Sequence, residues 1–95
     1  MTTGHKKLTS SGIVANRPCV LNGFLVGVDG TNDPTITLYD DNDNADGNEV
    51  VPTNTYDSSL LGLNGAMFIE GVRCNRGLYC EITCSGTVEI TVYYQ

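Results

Sequence analysis

The side chains in this 95-residue chain whose types and spacing could carry chemistry are an acidic and amide run, four cysteines and one histidine. The run comprises Asp40, Asp41, Asn42, Asp43, Asn44, Ala45, Asp46 and Gly47. Hard oxygen ligands at alternate positions suit calcium, and Asn42, Asn44 and Asp46 followed by Gly47 match the opening of an EF-hand loop. The match ends at Thr53, which stands where the bidentate Glu belongs, and the flanking patterns are those of strands rather than helices. The expectation is therefore a solvated turn, built from residues that tolerate turn conformations, with no tight metal site and no cofactor.

Cys80 and Cys84 fall on one face of one predicted strand, four residues apart. At the rise of a strand this separates them by ~13 Å, beyond the ~7 Å limit for bridged Cα atoms. The same distance excludes joint ligation of a tetrahedral zinc, whose sulfurs lie ~2.3 Å from the metal. The pair reads as two small buried hydrophobes with reduced thiols. Cys19 and Cys74 are further partners in principle, and a disulfide between them is left open. His5 is the only histidine and belongs to the polar N-terminal stretch, where an exposed side chain is expected. No GxxxxGK[ST] or GxGxxG is present to cradle a phosphate. The loop carboxylates lack the burial that would raise one to a general acid. Tyr39, Tyr79 and Tyr93 lie on predicted wet faces, as cross-strand partners. The chain is not expected to be an enzyme.

Eleven acidic residues against five Lys and Arg give a formal net charge of −6. Phosphate binding is dominated by Lys and Arg, so nucleic acid is an unexpected partner, and so is an anionic membrane surface. Met1 to Ser10 has no apolar core of the kind a secretory signal requires. With the reduced cysteines, it points to a protein made and used without export.

The elements that must position these residues are strands. From Gly77 to Tyr94 the chain alternates: Leu78, Cys80, Ile82 and Cys84 on one face, then Val88, Ile90, Val92 and Tyr94 after a Ser85-Gly86 turn. A period of two predicts two half-buried strands, and the turn predicts that they form a hairpin. Further strands are expected over 11–15, 19–29, 35–39, 49–56 and 66–74, with Pro52 placing its strand at an edge or bulge and Gly71 marking a bulge. The 19–29 strand is apolar on both faces. Its even positions are Val20, Phe24, Val26 and Val28, and its odd ones Cys19, Leu21, Gly23, Leu25 and Gly27. Both faces should be covered, the second by another subunit through Leu21 and Leu25 or, equally in keeping with the pattern, by the chain's own elements around a central strand. Leu60, Leu61 and Leu63 offer further apolar contacts in a loop, and Lys6 and Lys7 sit in what reads as a flexible arm, residues 1–10. About seven short antiparallel strands over 11–95 make a single all-β domain, a β-sandwich or jelly-roll-like fold.

The wording of the strands carries a resemblance. VLNGFLVGV (20–28), PTITLYD (34–40), GVRCNRGLY (71–79) and VEITVYY (88–94) resemble small β-sandwich virion proteins of tailed bacteriophages, whose pattern runs L-x-G-x-x-V, L-Y-D, G-V-x-x-x-x-G-L-Y and V-x-V-x-Y. The resemblance covers residues 11–95 and implies a structural virion protein, most like a capsid decoration or cement protein. It would bind the outer surface of the head through the major capsid protein, as a small homo-oligomer with a trimer as the expected form, assembled in the host cytoplasm. The alternatives are a tail, neck or fibre component of the same particle, or a non-viral ligand-binding β-sandwich. No catalytic or ligand residue comes with the resemblance. Lys6, Lys7, Leu21, Leu25, Leu60, Leu61 and Leu63 are the expected partner contacts.

Overall fold

The computed structural model describes residues 3–59 and 64–95. Eight strands are formed among them: β1 (Gly4–Leu8), β2 (Gly12–Ala15), β3 (Cys19–Val28), β4 (Thr35–Asp40), β5 (Asn48–Thr55), β6 (Asn64–Cys74), β7 (Leu78–Thr83) and β8 (Val88–Tyr94). They make two four-stranded antiparallel sheets, of order β1-β8-β3-β6 and β2-β7-β4-β5. The pairs β4–β5, β3–β6, β2–β7 and β1–β8 nest one within the next, as in a single long hairpin with its tip at 41–47. Rolling that hairpin brings β8 beside β3 and β7 beside β4. This is the topology of a jelly roll.

One core lies between the sheets. Leu21, Phe24, Val26, Ile90 and Val92 enter it from the first, and Ile36, Leu38, Leu78 and Cys80 from the second. Three features differ from the expectation drawn from sequence. Residues 1–10 are not a free arm: Gly4–Leu8 pair with Tyr94–Ile90 as an edge strand, and Leu8 packs against the core. The strand escaped notice because its residues, GHKKL, are exposed except for Leu8 and so show no alternation. Nor do residues 77–94 form a hairpin. β7 and β8 alternate as predicted, but they lie in opposite sheets. A period of two records which face is dry, and two strands facing each other across a core satisfy it as well as two neighbours do.

The double apolar face of β3 has a different origin from the one expected. The register slips between Leu21 and Gly23 against both neighbours: Asn22 is an extra, bulged residue relative to β8, whereas against β6 the extra residues lie on β6, between Met67 and Val72. Cys19 and Leu21 point inward before the bulge; Phe24 and Val26 point inward after it. The inward set changes from odd to even positions, and the strand looks apolar on both sides when read as one unbroken period. Leu21 is fully buried in the core of its own chain, which removes it from any subunit contact. On β6 the slip opposite Asn22 ends at Gly71, whose φ of +78° is the left-handed conformation glycine adopts readily. β5 carries Pro52 at the edge of its sheet, with register shifts on both sides of Leu38.

Candidate functional site

The acidic loop is organised by its own backbone and by the 75–77 turn. Asp40 accepts hydrogen bonds from the backbone N–H groups of Asn75 (3.0 Å) and Arg76 (2.8 Å), with a longer one from Gly77 (3.4 Å). Burial pushes its carboxyl up, but these donors and the Arg76 charge outweigh that and hold it below the ordinary value. Asp41 is fully buried, accepts from Asp43 N–H at 3.2 Å, and faces the Arg76 guanidinium at 3.6 Å. Its contact with Asp43 pushes the Asp43 carboxyl up, helped by burial and by the Asp41 charge. Of the residues that partly match a calcium loop, Asn44 accepts from Asp46 N–H at 3.1 Å to close a local turn, and Asn42 and Asp46 are exposed. Among the described residues, no group of three or more His, Cys, Asp or Glu side chains converges. The structure gathers Asp40 and Asp41, not Asn42, Asn44 and Asp46, around a common point, and that point is occupied by the 75–77 turn.

The opposite end of the barrel is gathered by Asp29. Its carboxylate accepts from Thr31 N–H (2.8 Å), Asn32 N–H (2.7 Å), Asn32 Nδ2 (2.9 Å) and Thr87 N–H (3.0 Å), and Ser58 Oγ donates at 3.3 Å. The β3–β4, β5–β6 and β7–β8 connections are thus tied at one carboxylate. The two bonds from Asn32 and those from Thr31 and Thr87 hold it well below the usual carboxylate range. Gly86 passes so close that a Cβ there would collide with Asn32 and Asp29.

The outer faces of the two sheets differ in chemistry. On the β2-β7-β4-β5 sheet, Thr35 and Thr55 pair through their hydroxyls at 2.8 Å and Thr37 and Thr53 at 2.7 Å, while Tyr39 reaches Glu81 at 3.4 Å and lies opposite Tyr79. This face satisfies itself. On the β1-β8-β3-β6 sheet, Leu25 is half-buried between Thr91 and Gly65, and Met67 is 62% exposed with its sulfur lying over Gly23. Val20 is half-buried, and Tyr93 packs on His5 with ring centroids 6.4 Å apart. Thr91 and the Lys7–Glu89 ion pair share this face, so its apolar and aromatic part is a patch around Gly23, which lies between Met67 and Tyr93, with Leu25 two residues on.

Lys6 and Lys7 lie on opposite faces of β1, opposite Val92 and Thr91, with Lys7 paired to Glu89 at 3.7 Å. Lys6 joins Arg17 around one cavity, and Arg17 and Arg73 line its neighbour. Among the described residues, these three form no ion pair with an Asp or Glu side chain, while Lys7 and Arg76 do. A basic corner on an acidic body was not legible in the sequence, because its members are 11 and 56 residues apart and only the topology brings them together. Leu60, Leu61 and Leu63 fall outside the described residues. All four cysteines are free thiols. Burial, with the nearby Glu81 charge, pushes the Cys80 thiol up to about 12, as suits a sulfur used as a hydrophobe. No protein-family model, curated protein or solved structure matches the chain.

Proposed function

We propose that this chain is a structural protein that self-associates through the outer face of its β1-β8-β3-β6 sheet and coats an assembled shell, as a capsid decoration protein does. The observation that carries the reading is that face: Leu25, Met67 and Tyr93 stand together on a sheet whose opposite side already fills the core. Contiguous apolar surface of this kind marks an interaction site. Leu25 thereby keeps its expected part as a contact, while Leu21 gives its place to Met67 and Tyr93. Closed cyclic symmetry is the usual outcome of self-association, and a trimer matches the three-fold positions of a shell. The jelly roll is at home in virus particles, but it hosts other functions too, so the fold contributes analogy only. The basic corner of Lys6, Arg17 and Arg73 supplies the contact to the acidic surface of the shell protein, with the rest of the body kept soluble by its negative charge.

Sedimentation of the purified protein and co-sedimentation with shells lacking it test this reading. The expected result is an oligomer that binds shells at full occupancy, and a Leu25→Asp/Met67→Asp variant that is folded, monomeric and does not coat them. A wild-type protein that stays monomeric at high micromolar concentration and leaves bare shells uncoated would overturn it.

A further inference from the structure

Cys19 and Cys74 stand directly opposite each other in the β3–β6 ladder. Opposed residues in an antiparallel pair have Cα atoms roughly 4.5–5.5 Å apart, inside the ~4.4–6.8 Å window that a disulfide spans. Both point into the sandwich, at 5% and 0% exposure. Cys19 is the member that solvent reaches, because it lines an open cavity of about 210 Å³ with Arg17, Pro18, Val20, Arg73 and Gln95. Two guanidinium groups therefore stand at the mouth through which a reagent would approach its sulfur.

We propose that Cys19 and Cys74 form a redox-active cross-strand dithiol, oxidised through the Arg17–Arg73 cavity by a small anionic disulfide of the glutathione type. The Cys19 thiolate attacks one sulfur of that disulfide, its S–S bond breaks, and the first glutathione leaves. Cys74 then attacks Cys19 and displaces the second, closing the protein disulfide. Two protein thiols are oxidised, one glutathione disulfide is reduced to two glutathione thiols, and the two cysteine protons end on those leaving groups. The order of attack has a physical basis. Cys19 lines the cavity, whereas Cys74 is fully buried behind it and donates its thiol proton to the Val72 carbonyl at 3.8 Å, and the positive charge of Arg17 favours the Cys19 thiolate. Cys80, within β7, and Cys84, just past its end, have no cysteine opposite them in a ladder.

The test starts from fully reduced protein treated with glutathione disulfide, then alkylated under denaturing conditions and weighed. The expected mass shows two alkylations rather than four, with Cys19 and Cys74 in one cross-linked peptide, and the oxidised form melts several degrees higher because the bridge closes a long loop. In Cys74→Ser the reaction stops at a glutathione adduct on Cys19, while Cys19→Ser leaves Cys74 unmodified. Cystamine, a cationic disulfide, reacts several-fold more slowly than glutathione disulfide with the wild type, and that preference disappears in Arg17→Ser/Arg73→Ser. Four alkylations in the wild type, or a glutathione adduct confined to Cys84, would overturn the proposal whether or not the variants fold.

Discussion

Two aspartates close the two ends of this sandwich, and each does so by accepting backbone hydrogen bonds rather than by pairing with a cation. Asp29 gathers the ends of three connections and Asp40 holds the 75–77 turn against the hairpin tip. The folded state depresses both carboxyls, so the stability they contribute is complete above the unfolded value of roughly 3.9 and is lost as pH falls through the folded one. Asp29→Asn should therefore melt several degrees below the wild type at neutral pH. The gap between them should stay constant down to about pH 5 and narrow below about pH 4, which thermal melts followed by circular dichroism across that range will read. A gap that persists undiminished in acid would show that Asp29 acts by shape alone. The cysteines give a second test at this scale. Cys80 is fully buried and behaves as a hydrophobe, so Cys80→Ser, which leaves a hydroxyl there without a matched partner, should cost about 1–3 kcal/mol in urea denaturation. Cys80→Ala, of smaller volume but apolar, separates the polarity effect from the volume effect.

At the scale of elements, what the sequence makes legible is burial, and what it conceals is partnership. β4, β7 and β8 announce themselves through alternation, and Pro52 and Gly71 mark an edge and a bulge for reasons of backbone chemistry alone. β1 is silent since its only buried contribution is Leu8. The β7–β8 turn misleads because Ser85 and Gly86 suit a crossing between sheets as well as a hairpin, and it is Asp29 and Asn32, more than fifty residues away, that decide. The apolar character of β3 hides a phase change at Asn22. Of the candidate site, parity points equally to Leu21 and Leu25, and only the phase change at Asn22 separates them, while the basic corner and the opposition of Cys19 to Cys74 require the topology. Two outcomes follow for the elements. Gly71→Ala should destabilise the protein by about 1–3 kcal/mol, since it forces a left-handed residue to carry a Cβ that would collide with Val20. Deleting residues 1–10 should do more than remove an arm. It uncovers the edge of β8 and exposes the core beneath Leu8, so the truncated protein should melt lower and aggregate on concentration, as bare strand edges do. A truncated form as stable and soluble as the parent would mean that β1 contributes nothing to the sheet.

For the molecule as a whole, charge and apolar surface pull against each other. The net charge of −6 repels like copies, whereas burying the Leu25, Met67 and Tyr93 face draws them together and is indifferent to simple electrolyte. Docking of the basic corner on an acidic surface has the opposite dependence, because salt screens an attraction. The Debye length falls from ~10 Å at 0.1 M to ~3 Å at 1 M ionic strength, so the two contacts proposed for this protein should respond to salt with opposite signs. Self-association measured by sedimentation should tighten as sodium chloride is raised over that range, while binding to bare shells should weaken at fixed oligomeric state. Lys6→Glu should lower shell binding several-fold at the low end and leave self-association unchanged. Self-association that weakens with salt would place the subunit contact at the charged corner rather than on the outer sheet face, and would exchange the parts assigned here to the two surfaces.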